Sequence, residues 1–268
     1  MLSLAIQNTQ SIAHSVAAFQ GGSGPIAVCV THASSFEQSE IPELSDWQAA
    51  AAAFAAEAET SAGDMCDKLK SGADPKDFVT QLEAMNAKLD DLCFQITNVD
   101  THMAGFRTMF NTDVASLSQY AAQLSGDMQK YQSMQQHYET EAAHIQKRID
   151  VINGISFGLP IVKLASELAS LIQKGKTTEA MLSDTRQKVA QFRSQMANAA
   201  HAQSLAHQLG DTIGKLGAAV QDARNAVNIA EGKLKNDKDF VSGAGTEDAV
   251  LYINALKASL GQLRQITA

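Results

Sequence analysis

Proline is scarce in this chain. There are four in 268 residues, with none between Pro75 and Pro160 and none after Pro160. Proline inside a helix costs about 3 kcal/mol, so this scarcity leaves two very long stretches free to be helical. Aromatic residues are also few, at 6%, and much of the 45% hydrophobic content is alanine. Aromatic-poor, alanine-rich chains with a helical period point to long packed helices. Only three cysteines are present, Cys29, Cys66 and Cys93, without a CxxC spacing. They form neither a disulfide framework nor a zinc site and read as small buried apolar residues. Basic charge is lacking too: 21 Lys and Arg against 29 Asp and Glu give a net charge of −8. Phosphate neutralisation needs clustered cations, so nucleic acid is not expected as a partner. Simple electrostatic binding to anionic lipid is disfavoured for the same reason.

Catalytic signatures are missing as well. The chain carries no GxSxG, HExxH, P-loop or GxGxxG, so no enzymatic activity and no cofactor are expected. His137, Glu141 and His144 lie at helical spacing of four and three. That spacing suits a metal, but the solvated face of a long helix carries such residues routinely, and no metal is expected. His201 and His207 read as surface or seam residues. Met128, Tyr131, Met134 and Tyr138 read as bundle packing rather than a cofactor box.

What is present is periodicity. The N-terminal segment has spaced apolar residues, Ile6, Ile12, Val16 and Phe19, suited to a short amphipathic helix that Gly21, Gly22, Ser23 and Gly24 interrupt. No basic n-region marks a cleavable secretion signal. Residues 25–30 (PIAVCV) read as a strand or an extended plug, and residues 32–39 as a loop. Residues 1–41 are thus expected to be an amphipathic segment and linker. A first helix is expected over about 42–69, with Leu44, Trp47, Ala51, Phe54, Ala58, Ala62, Met65 and Leu69 as one stripe. Gly72 ends it, and Asp74–Pro75 starts the next helix.

That next helix has the clearest pattern. From Phe78 the stripe runs Leu82, Met85, Leu89, Leu92, Ile96, Val99, Met103, Phe106, Phe110, in steps of four and three. One extra residue is then absorbed before Val114, and the stripe continues from Leu117 to Ile152. Residues 75–152 are expected to be one helix, about 115 Å long at 1.5 Å per residue. A sustained 3.5 repeat specifies a coiled-coil or bundle seam. A second arm, roughly 173–235, would be about 95 Å long. Asn236–Gly245 reads as a polar turn, and 246–266 as a last helix with Val250, Ile253, Leu256, Leu260 and Leu263. Two matched arms on a short connector pack antiparallel. The expected fold is all-α: an elongated four- or five-helix bundle, with a tail of residues 42–150 and 173–268 and a head of residues 151–172.

The head, VINGISFGLPIVKLASELASLI, stands out against everything around it. It holds eleven large apolar residues and two charges, Lys163 and Glu167, and is broken by Gly154, Gly158 and Pro160. Loops at hairpin tips are ordinarily polar. From residue 151 to 162 a helix would cover about 18 Å, against a bilayer core of about 30 Å. A helix-turn-helix dipping into one leaflet fits best, with Lys163 reaching back to the headgroups or pairing with Glu167. Eleven such side chains give an upper driving force of roughly 15–30 kcal/mol for hiding this surface. In water it is expected to be covered by self-association or by folding back. Candidate membrane-binding residues are Val151, Ile152, Ile155, Phe157, Leu159, Pro160, Ile161, Val162, Leu164 and Leu168.

A long-helix bundle with this apolar head between its two longest helices resembles the cytolysin A-type α-helical pore-forming toxins. These include the haemolysin BL and non-haemolytic enterotoxin components and the tripartite toxins of Gram-negative bacteria. The resemblance covers about residues 42–266. The head differs from the long two-stranded tongue of some members and looks like the short head of a component in a multipart toxin. The resemblance implies secretion, a soluble form that hides the head, other toxin subunits as partners, and assembly in a target cell membrane. It also implies shifts of the terminal helices, for which Gly21–Gly24 and Gly210–Gly217 are hinge candidates. The alternative is a structural or adaptor coiled-coil protein whose apolar tip docks a protein.

Overall fold

A computed structural model describes residues 1–20, 22–154, 161–241, 243 and 245–268; at 154, 161–165 and 237–240 it describes the helical backbone alone. Nearly all of the described residues are helical, with no strand among them. In order, they form α1 (Leu2–Ala17), α2 (Pro25–Lys70), a 3-10 turn (Pro75–Phe78), α3 (Val79–Gly154), α4 (Ile161–Val241) and α5 (Thr246–Thr267). The expected all-α bundle of long helices is what the chain forms.

The boundaries follow local chemistry. The Asp74 carboxylate accepts a hydrogen bond from the Lys76 amide at 3.0 Å, with Pro75 at the first position of the turn. Gly72, at φ +98°, ends α2 in a conformation that a side chain would strain. Glu247 and Asp248 sit in the first turn of α5, where the helix dipole favours them.

Four expectations need correction. Residues 25–30 are neither strand nor plug, and 32–39 are not a loop, because α2 begins at Pro25 and runs through Pro42. The stripe Ile26, Cys29, Ala33, Phe36, Ile41, Leu44, Trp47 is buried throughout. Phe36 packs edge-on against Phe106 and Phe110, with ring centroids 5.2 and 6.3 Å away. Burial on that scale offsets the cost of a mid-helix proline. The third correction is the extra residue near Phe110. Asp113, not Val114, takes the seam position and is 4% exposed, so the steps Phe110, Asp113, Leu117 continue unbroken. A stripe read for apolar residues alone passes over an aspartate. The fourth is the turn at 236–245, since α4 continues to Val241.

The chain divides into two compact units, residues 1–114 with 204–268, and residues 115–203. In the first unit α2 and α5 run antiparallel. Gln48 donates to the Thr267 carbonyl (2.6 Å), Arg264 pairs with Glu59 (3.0 Å), and the Cys66 thiol lies against Asn254 (3.5 Å). Trp47 Nε1 donates to the Leu92 carbonyl of α3 at 2.9 Å. α3 and α4 are tied by Asp100–Arg224, Asp90–Lys235 and a hydrogen bond from Cys93 to Asn228. Cys29 and Cys66 are buried and all three cysteines are free. Burial, and then the Asp113 charge, push the Cys29 thiol up to about 12, so it stays protonated and unreactive.

Asp113 meets His32 Nδ1 of α2 at 2.8 Å, with the carboxylate 5% exposed. Removing one member of a buried polar pair leaves the other unsatisfied. Asp113→Ala should therefore cost about 1–3 kcal/mol in urea unfolding. Asp113→Asn, which keeps a hydrogen-bond acceptor, should cost less; equal losses would show that the pair contributes only by packing.

In the second unit α3 and α4 form an antiparallel two-helix seam. Its buried apolar positions include Leu117, Leu124, Ile145, Leu171, Val189, Ala199 and Ala202. Tyr131 faces Phe192 with centroids 5.4 Å apart, under the Lys188 ammonium. Met128, Tyr131, Met134, Tyr138, Phe192 and Met196 are only half-buried, since two helices alone cannot enclose large side chains on every side. Of the expected packing residues, Tyr131 meets its seam partner in Phe192.

Candidate functional site

The candidate head lies where α3 ends and α4 begins. Of the ten residues singled out from the sequence, Val151 and Ile152 belong to the last turn of α3. Val151 is 58% exposed and Ile152 half-buried. Ile161, Val162, Leu164 and Leu168 fall in the first turns of α4; Leu168 is half-buried, and the side chains of the other three are outside the description. Ile155, Phe157, Leu159 and Pro160 lie outside the described residues. Among the described residues, no helix is long and apolar enough to cross a membrane.

Among the described residues, Ile145 and Leu171 are the buried apolar positions nearest the α3–α4 junction. They are 4% and 7% exposed, and Gly175 faces Ile145, where a Cβ would make ordinary contact at 3.6 Å from Ile145 Cγ2. Toward the junction Ile149, Ile152 and Leu168 are half-buried and Val151 is 58% exposed. Ion pairs between the helices flank this stretch: Arg148–Glu167 at 2.9 Å, Lys174–Glu141 at 2.8 Å and Arg186–Glu139 at 3.0 Å. Glu167 thus has Arg148 of α3 as partner. The Lys163 side chain, expected to reach the headgroups or to pair with Glu167, lies outside the described residues. Exposed pairs contribute little each; here they set register and keep charge close to an apolar end.

His137, Glu141 and His144 line one groove with Thr140, Ile145, Arg148, Leu171 and Lys174. Glu141 is committed to Lys174, and its carboxyl is held below the usual range by that hydrogen bond. Glu139 is lowered likewise, first by the Gln135 amide and then by Arg186. A carboxyl lowered on folding stabilises above its unfolded value and loses that contribution as pH falls through the folded one. The two pairs should therefore persist from neutrality down to about pH 5 and be lost only below the ordinary value of 4.5. Carboxyl-carbon NMR titration checks this, and midpoints at or above 4.5 would contradict it.

The outer face of α1 is a feature that the sequence reading passed over. Met1 and Leu4 are 78% and 63% exposed. With Ile12 they line an apolar groove completed by Ala218 and Ala219 of α4 and Ile266 of α5. The buried side of α1 carries Leu2, Ile6, Thr9, Ala13 and Val16. Leu4 falls off that stripe, and this was the available signal: α1 is apolar on two faces.

No family model matches the chain, and no curated protein matches it by sequence. Solved structures do match. The soluble triple head mutant of AhlC, from the tripartite α-pore-forming toxin AHL of Aeromonas hydrophila, matches at a TM-score of 0.79 with 16% identity. That match covers 100% of this chain and 97% of the other. Soluble AhlC itself matches at 0.74, again with 16% identity, covering 100% and 98%. The SmhB pore of the tripartite α-pore-forming toxin Smh of Serratia marcescens matches at 0.68 with 11% identity, covering 98% and 97%. At such identities it is the fold that is shared. Along its whole length, this chain has the fold of the components of tripartite α-pore-forming toxins.

Proposed function

We propose that this protein is the membrane-binding component of an α-helical pore-forming toxin. One observation carries the reading: the most apolar stretch of the chain falls at the α3–α4 junction of a fold shared, end to end, with a soluble toxin component. Val151, Ile152, Ile155, Phe157, Leu159, Pro160, Ile161, Val162, Leu164 and Leu168 enter one leaflet of a target cell membrane. Their hydrophobic transfer supplies the driving force, and residues 151–162 are too short as a helix to cross. In the secreted, water-borne form a second copy covers the head. Once on the membrane, further toxin subunits join to complete a lytic pore; the neighbours are parts of three-component toxins.

Flotation of the full chain with liposomes tests this. The protein should rise with vesicles in a density gradient, and its mass by light scattering before lipid is added should exceed one chain. Failure to float at any lipid composition, with partner subunits present, would favour the other class: a coiled-coil adaptor whose apolar tip docks a protein.

A further inference from the structure

We propose that Glu40, Glu43 and His102 form a binding site for one divalent transition-metal cation of the zinc class, between α2 and α3 in the first unit. The three side chains each offer a ligand atom, and these atoms lie within 4.8 Å of one another. Glu40 and Glu43 are three residues apart on α2, which places both carboxylates on one face. His102 reaches them from α3, at 3.4 Å from Glu40 Oε2 and 4.0 Å from Glu43 Oε2.

The independent sign is Glu40 itself. Its side chain is 8% exposed, yet Oε2 is buried without a hydrogen-bond partner. Its other oxygen is 3.3 Å from the Ser39 hydroxyl, whose single proton goes to the Ser35 carbonyl at 2.7 Å. A buried carboxylate left this way is expensive, and Oε2 points at the His102 ring. The 3.4 Å separation is long for an N–H···O bond, which runs about 2.7–3.2 Å. It matches the edge of a tetrahedron whose bonds to a central ion are about 2.0–2.2 Å. A small rotation of Glu43, 49% exposed, closes the third edge.

The donor set selects the ion. Calcium and magnesium take oxygen ligands, whereas an imidazole with two carboxylates suits zinc and its neighbours. Three protein ligands leave the fourth position to water. The bound ion neutralises the Glu40 charge and fastens α2 to α3 on either side of Pro42, one to two helical turns before Trp47 reaches the Leu92 carbonyl.

Chelator-treated full chain, titrated with zinc chloride in a calorimeter at neutral pH, tests the site. One zinc per chain is expected. His102→Ala, which changes a half-exposed side chain, and Glu40→Gln should weaken binding more than about 100-fold. His207→Ala, an exposed histidine beside Asp211, should leave it unchanged. Cobalt in place of zinc should give the visible bands of a tetrahedral site in the wild type and not in His102→Ala. Zinc should raise the melting temperature of the wild type alone. No zinc uptake, or uptake that persists in folded His102→Ala, would overturn the proposal and leave His102 and Glu40 an ordinary pair.

Discussion

Leu159→Glu together with Ile161→Glu should abolish flotation with liposomes while leaving the helical content of the protein unchanged. A carboxylate carried into hydrocarbon costs roughly 2.5–3.5 kcal/mol on insertion scales. Two of them remove about 5–7 kcal/mol from the transfer free energy, and each 1.4 kcal/mol is tenfold in affinity. The membrane partition constant should therefore fall by about a thousandfold or more. In sequence the two positions fall in the α3–α4 connection and at the first residue of α4, outside the buried stripes that include Ile145 and Leu171, so circular dichroism and the melting temperature should stay as they are. The same variant should be monomeric by light scattering, since the surface that a second copy covers would be charged. Flotation undiminished by both charges would remove the head from the membrane contact. An unchanged oligomer would show that self-association uses another surface, and the exposed face of α1 with Met1 and Leu4 would be the next to test.

Trp47→Ala should produce the largest loss of stability in the first unit. The indole is 2% exposed and its N–H reaches the Leu92 carbonyl across the α2–α3 interface. Truncating a buried aromatic to alanine removes its transfer free energy and leaves a cavity, together about 3–5 kcal/mol. For a domain of 150–250 residues this lowers the melting temperature by about 6–20 °C. Trp47→Phe keeps most of the packing and forfeits the hydrogen bond, so its cost should be nearer about 1 kcal/mol. Thermal melts followed by far-UV circular dichroism distinguish the two. Similar losses for both variants would mean that the hydrogen bond, rather than ring volume, holds the interface.

Much of the architecture was legible in the residue order because helical period is a local property. Leu82 to Phe110 repeat in steps of three and four, and every one of those positions except the half-buried Phe106 is buried. The long gap between Pro75 and Pro160 and the capping pair Asp74–Pro75 are local in the same sense. The apolar run between the two longest helices is legible in the same way, since a connection there is ordinarily polar; its contact with a membrane is the proposal.

Other features depended on what arrives from elsewhere in the chain. Pro42 argues for a helix start when read locally, yet α2 passes through it because Phe36 finds Phe106 and Phe110 on α3. Asp113 looks like an interruption of the stripe and is buried in it because His32, 81 residues away, supplies a hydrogen bond. No local pattern links Glu40 to His102, and only the packing of α2 on α3 sets them 3.4 Å apart with one oxygen unpartnered. The residue order by itself determined helix, period and the place of the apolar head, since each depends on neighbours three or four positions away. The tertiary structure alone decided which polar groups are buried and with whom, because the free energy of a buried charge is set by partners that no local pattern names.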